Sequence, residues 1–166
     1  MTDEPKFALA PFFGEGRREF IEHIPHVKRL GMEVLYVGPY TARIKLPFRE
    51  ELIGDPVRRV VFGGVITTLL DHASGLAVSA SLPEFRAIAT LDLRIDYLRA
   101  AVPDRDLIGE SVCYKVTHHV AFIRASAWDD SPDDPFATCH ASFMLGANPG
   151  ENAIARAIRK SVEEPS

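Results

Sequence analysis

The chain has 166 residues, 46% hydrophobic and 25% charged, with a formal net charge of −4. That length supports one domain with a sizeable core, and the mild acidity gives no global basic footprint for nucleic acid. No apolar run reaches the length of a membrane span, and MTDEPKFALAPFFGEG lacks the basic n-region of a secretory signal.

In chain order, Glu15 to Leu30 patterns as a helix on Phe20, Ile21, Ile24 and Val27, split or kinked at Pro25 and ended by Gly31. MEVLYVG and TARIKLP are β-like runs joined across Gly38-Pro39, a hairpin pattern. Phe48 to Arg59 is polar, carries the turn residues Gly54-Asp55-Pro56, and is expected to be a loop. Gly63 to Ala80 carries Ile66, Leu69, Leu70, Ala73 and Ala77 at the helical period, with Val65, Leu76 and Val78 on the other sides. A helix apolar nearly all round is a buried one.

Beyond Pro83 the period becomes two. Ala87, Ala89, Leu91, Leu93, Ile95 and Tyr97 alternate with Ile88, Thr90, Asp92, Arg94, Asp96 and Leu98. Leu107 to Thr117, Val120 to Trp128 and Phe136 to Leu145 are three further strands, separated by His118-His119 and DDSPDDP. Glu151 to Val162 is expected to form a short helical tail. The plan is thus a single α+β domain over 1–166: an N-terminal helical segment (1–30), a core (31–146) and a tail (150–166). In the core, an antiparallel six-stranded sheet wraps one long helix. Four closely spaced strands leave no room for helical crossovers, which excludes a Rossmann-type sheet. Cys113 and Cys139 have neither metal nor disulfide spacing; buried free thiols and a cytoplasmic location are expected.

The segment VVFGGVITTLLDHASG carries the chemistry. Gly63-Gly64 opens the long helix, where the first N–H groups lack intrahelical partners and the dipole favours negative charge. The pair serves either as an oxyanion hole or as a packing turn. Asp71 interrupts an apolar helix, which costs stability unless the carboxylate is paired, solvated or useful. Thr67, Ser74 and Gly75 are small or hydroxylic neighbours on its side, a strip suited to line a cleft. A carboxylate there can act as general base or nucleophile. Eight residues separate Gly63 from Asp71, about 12 Å along a helix axis. One carbonyl cannot touch both, so a shared reaction requires two chains, each giving one half of the site.

FGGVITTLLDHASG resembles the HGG…D segment of hotdog-fold thioesterases of the phenylacetate-degradation subfamily, and ATLDLRIDYLRAA resembles the strand that follows their central helix. The similarity extends over roughly Leu30 to Leu145. It implies hydrolysis of an acyl-CoA thioester at a dimer interface, in a dimer or dimer of dimers. Asp71 falls on the catalytic carboxylate, Gly63 on the residue whose N–H polarises the thioester carbonyl, with Gly64 beside it, and Thr90 on a Ser/Thr that orients water or carboxylate. Coenzyme A enters only as part of the substrate; no metal and no membrane or nucleic-acid partner is implied. Two departures stand out. Phe62 replaces the usual His, which points to acyl-chain contact or to a catalytically weak acyl-CoA binder, and Asp55 or Pro56 occupies the region of the loop Asn. His118, His119, Arg99 and Arg124 are candidates for CoA phosphate contact. The Asp-x-x-x-x-His of hotdog hydratases and the G-x-S-x-G of serine hydrolases have no counterpart.

Overall fold

The computed structural model describes residues 24–83 and 86–146. The expected helix over residues before 24 and the helical tail fall outside that range. Helix α1, Pro25–Leu30, begins at Pro25, the position where the sequence pattern places a split or kink. Proline suits the first turn because its missing N–H would have no helical acceptor there. Gly31 ends the helix in the left-handed region, φ 69°, and its N–H caps α1 carbonyls.

Strands β1 (Glu33–Gly38) and β2 (Thr41–Leu46) form the expected hairpin. The expected loop that follows is more ordered than its polarity indicates. A 3-10 turn at Glu50–Leu52 leads into a small hairpin of β3 (Ile53–Asp55) and β4 (Val60–Val61). Its two apolar anchors, Leu52 and Val61, are buried. Asp55 Oδ1 accepts the N–H groups of Val57 and Arg58 at 3.0 and 3.1 Å and so holds the turn. Arg59 bridges Glu50 and Asp104. An apolar anchor at each end, with polar groups satisfied between them, orders a segment that has no periodicity of its own.

Helix α2, Gly63–Ala80, is the long central helix. Ile66, Leu69, Leu70, Ala73, Leu76 and Ala77 are buried against the middle of the sheet, where α2 meets β6, β2 and β7. The approach to β6 is close: a Cβ on Gly109 would lie 2.9 Å from Leu69 Cγ. Burying a leucine of this kind stabilises the fold by about 1.5–3 kcal/mol.

The remaining strands are β5 (Ile88–Tyr97), β6 (Leu107–Val116), β7 (Val120–Trp128) and β8 (Ala137–Leu145). With β1 and β2 they make one antiparallel six-stranded sheet in the order β1-β2-β6-β7-β8-β5. The inner faces of β7 and β8 alternate as period two requires: Ala121, Ile123, Ala125 and Ala127 are buried, as are Ala137, Cys139, Ala141, Phe143 and Leu145. Cys113 and Cys139 are free and buried, as expected. Among the described residues no helix is long and apolar enough to cross a membrane.

Strand β5 departs from simple alternation. It is an edge strand pairing with β8, and its register shifts between Thr90, opposite Phe143, and Asp92, opposite Ser142. Leu91 is the extra residue of a bulge, and it is exposed. Ile88 and Thr90 face α2 before the bulge, and Leu93, Ile95 and Tyr97 face it afterwards. The unbroken alternation read from the sequence would have put Thr90 and Tyr97 on opposite faces.

Candidate active site

Asp71 lies midway along α2, half-buried, on the side that β5 covers. Thr90 Oγ1 donates to Asp71 Oδ1 over 2.8 Å, the only hydrogen bond to this carboxylate among the described residues. The bond fixes one oxygen and leaves the other to act on a water or an electrophile. Asp71 therefore escapes the cost of an unpaired acid on an apolar helix: β5 brings it a donor, and its partial exposure keeps it solvated.

The helix start is built differently. Phe62 stands at the N-cap and provides no side-chain cap, where Ser, Thr, Asp or Asn would normally satisfy a first-turn N–H. Val65 N donates to Phe62 O over 3.0 Å. Gly63 and Gly64 have no acceptor for their N–H groups among the described residues. Two amides at the positive end of an eighteen-residue helix are thus left to bind an anion or a polarised carbonyl. Phe62 N donates to Leu52 O over 2.9 Å, tying this corner to the small hairpin. The Phe62 ring, 60% exposed, folds across Gly64, where a Cβ would meet its Cε1 at 2.5 Å. A side chain at 64 would displace that ring from its present position.

Other candidates go elsewhere. Thr67 Oγ1 bonds back to Gly63 O over 3.1 Å, within the first turn of the helix. Ser74 does not join the cleft. Its side chain is fully buried and its hydroxyl meets Ser111 Oγ of β6 at 3.2 Å. Ser74 is set back about 60° from Asp71 around the helix, which is enough to turn it to the sheet. Gly75 packs against Ile88 and Phe143. Arg99 is held in an internal ion pair: its guanidinium grips Asp129 in a bidentate bond at 2.8 and 2.9 Å, and also binds Asp134. The Asp129 side chain is fully buried, and the Arg99 hydrogen bond holds its carboxyl below the usual range despite burial. The DDSPDDP segment is therefore the receptor for Arg99, a partnership between distant segments that composition alone does not expose. Arg124 stacks over the Tyr114 ring at 4.9 Å on the outer face of the sheet. His118 and His119 sit at the tip between β6 and β7, exposed, with ring nitrogens 3.1 Å apart. The structure thus brings together Asp71 with Thr90, and Phe62 with Gly63, Gly64 and Thr67. Ser74, Arg99, His118 and His119 lie apart from both groups.

Tyr97 escaped the sequence analysis. Its Oη donates to Gly63 O over 3.2 Å. The signal available for it was its place in the strand after the helix, but strict alternation assigned it the face opposite to Thr90. His72, beside Asp71, points away from it, and its Nε2 is buried with no hydrogen-bond partner among the described residues. Burial pushes its pKa down to about 4, so it is neutral at pH 7.

A family model described as the thioesterase superfamily matches residues 59–136, the stretch that contains α2 and β5. A Pseudomonas aeruginosa protein of known crystal structure is 39% identical with a TM-score of 0.69, and the match covers 77% of this chain and 95% of that one. A second solved structure, of a protein from the thioesterase superfamily, is 30% identical with a TM-score of 0.68, covering 76% of this chain and 92% of that one. Among curated relatives, the match to a candidate esterase of Halobacterium salinarum is 38% identical over 90 residues, covering 52% of this chain and 58% of the relative. The medium/long-chain acyl-CoA thioesterase YigI of Escherichia coli K12 is 27% identical over 140 residues, covering 76% of this chain and 89% of the relative. With the sheet wrapped around α2 and this similarity over most of both solved chains, the protein belongs to the thioesterase superfamily, hydrolases on the hotdog fold.

Proposed function

We propose that the protein hydrolyses an acyl-CoA thioester at a site shared by two subunits, in the manner of the phenylacetate-degradation subfamily that its helix and strand motifs resemble. The observation that carries this is the layout of α2 and β5. One half-site holds a carboxylate with a hydroxyl on it; the other holds two unpartnered amides, about 12 Å away along the same helix. The amides of Gly63 and Gly64 receive the thioester oxygen. Asp71 of the second subunit takes a proton from water, or attacks the carbonyl carbon itself. In the water route, hydroxide adds to the carbonyl and charge develops on its oxygen. Collapse breaks the C–S bond, and the coenzyme A thiolate takes up the proton held by Asp71. The chemistry calls on no metal and on no cofactor beyond the coenzyme A of the substrate.

The edge of β5 supports the two-chain arrangement. Among the described residues the strand has no neighbour beyond β8 in the sheet, and Leu91, Tyr97 and Leu98 are more than half exposed beside it. An open edge with apolar side chains is a template for a second strand. The relationship to YigI and the exposed Phe62 ring support a medium- or long-chain acyl group. Phe62 also favours a second reading, a slow acyl-CoA binder, because among the described residues no imidazole stands beside the amides.

The test is thiol release from a panel of acyl-CoA esters by wild type, Asp71→Asn and Gly63→Pro. Proline is tolerated at the first helical position and removes the N–H, while its ring also presses on the Tyr97 hydroxyl. Both variants should lose activity, and their mixture should recover part of it through hybrid dimers holding one intact site. No recovery on mixing would overturn the shared site, and no thiol release by wild type would leave the binder.

A further inference from the structure

We propose that Tyr97 is a positioning residue for the oxyanion-binding amides, acting through the carbonyl of Gly63; this rests on the assignment of Gly63 and Gly64 to that role. Tyr97 Oη donates to Gly63 O over 3.2 Å and Thr67 Oγ1 donates to the same oxygen over 3.1 Å. Both add to the backbone N–H that the helical ladder directs at that carbonyl. Gly63 C=O and Gly64 N–H are the two ends of one planar peptide unit. Hydrogen bonds accepted by the oxygen polarise the amide, and its N–H becomes a stronger donor. They also fix the plane of the peptide, and with it the direction of the Gly64 N–H.

Thr67 alone would carry little. A threonine hydroxyl bonded back to the preceding turn is ordinary in helices, and Thr68 does the same to Gly64 O at 2.9 Å. Tyr97 comes from a different element, 34 residues away, and reaches Gly63 only because the bulge at Leu91 turns the end of β5 toward α2. It is also fitted to its acceptor residue. A Cβ at position 63 would lie 3.1 Å from Tyr97 Oη, so a side chain there would press on the hydroxyl that holds the carbonyl. Glycine at 63 and tyrosine at 97 form one matched pair. β5 therefore lays one hydroxyl on each half-site: Thr90 on the carboxylate, Tyr97 on the peptide that presents the second amide.

Tyr97→Phe removes the hydroxyl and keeps the ring. The experiment measures kcat and KM for thiol release from an acyl-CoA that wild type hydrolyses, with Asp71→Asn as reference, together with oligomeric state, Tm and the Gly64 amide proton resonance. Loss of one neutral hydrogen bond to the site should lower kcat about three- to tenfold. KM, Tm and oligomeric state should hold, and the Gly64 amide proton should move upfield. Adding Thr67→Val should lower kcat further. Unchanged kcat and an unmoved Gly64 resonance, with an active wild type and a dead Asp71→Asn, would overturn the role of Tyr97 and leave the site assignment standing. A loss of activity that follows dissociation or a lower Tm, with Gly64 unmoved, would overturn it in favour of a purely structural tyrosine. A wild type without thiol release, or an Asp71→Asn that keeps it, would overturn the site assignment and this inference together.

Discussion

Thr90 and Tyr97 stand seven residues apart on β5, an odd separation, and yet both hydroxyls bond to groups of α2: Thr90 to Asp71 and Tyr97 to Gly63. In a regular strand an odd separation puts two side chains on opposite faces. The bulge at Leu91 inserts one residue into the register and restores a common face. One strand thereby braces both the carboxylate and the first peptide of the helix.

The Asp71–Thr90 pair should behave as one unit in turnover. Asp71→Asn keeps the shape and removes the base, and thiol release is expected to fall to background. Thr90→Val removes a hydrogen bond to a charged group, which is worth about 1.5–3 kcal/mol, and should lower kcat about ten- to a hundredfold. Thr90→Ser should retain most of the rate. A steady-state comparison of the three variants checks this, and a fully active Thr90→Val would mean that the hydroxyl does not serve the chemistry.

Arg99 should matter for stability. Arg99→Leu would leave the Asp129 carboxylate with the Val102 N–H but without its guanidinium, and losing hydrogen bonds to a charged group at this partly exposed pair should cost about 1.5–3 kcal/mol. Chemical denaturation of wild type and Arg99→Leu reads this directly. The KM for acyl-CoA should stay unchanged at a temperature where both are folded. Asp129 adds an acid sensitivity of its own: its pKa is lowered in the fold. The stability it contributes is complete above the unfolded carboxyl pKa and is lost as pH falls through the folded one.

His72 predicts loss of stability at a higher pH. Its pKa is about 4 in the fold, against 6.5 for a free histidine, so as pH falls the unfolded chain takes up the proton first. Stability should be level above about pH 6.5 and decline between there and about pH 4, by about 3 kcal/mol. His72→Gln should flatten that part of the profile. Urea midpoints collected across this range would expose a wild type with no slope, which would contradict the buried neutral ring.

Phe62 should set chain-length preference. The ring lies on Gly64 and presents an apolar edge at the amides. Phe62→His adds a polar donor there and removes part of that surface. We expect a higher kcat on short acyl-CoA and a raised KM on long ones, the latter by up to about tenfold for one aromatic contact. A chain-length series measured on both proteins is the check; parallel profiles would remove Phe62 from the acyl pocket.

The layers, the six main strands, the long buried helix and the two positions proposed to carry the chemistry are all legible in the sequence. Each is a local signal: a period of 3.6 or 2.0, a glycine pair before an apolar run, an acid within it. The distance from Gly63 to Asp71 was equally legible, because helical rise is constant. The remaining features depend on partners far apart in the chain. Arg99 is turned inward by Asp129, thirty residues on. Ser74 is claimed by Ser111 across the core. The segment before α2 is ordered by two buried anchors and not by a pattern. Above all, the register shift of β5 against β8 brings Tyr97 to the helix. A bulge is set by pairing between strands, and an alternating sequence carries no mark of the residue that the pairing leaves out.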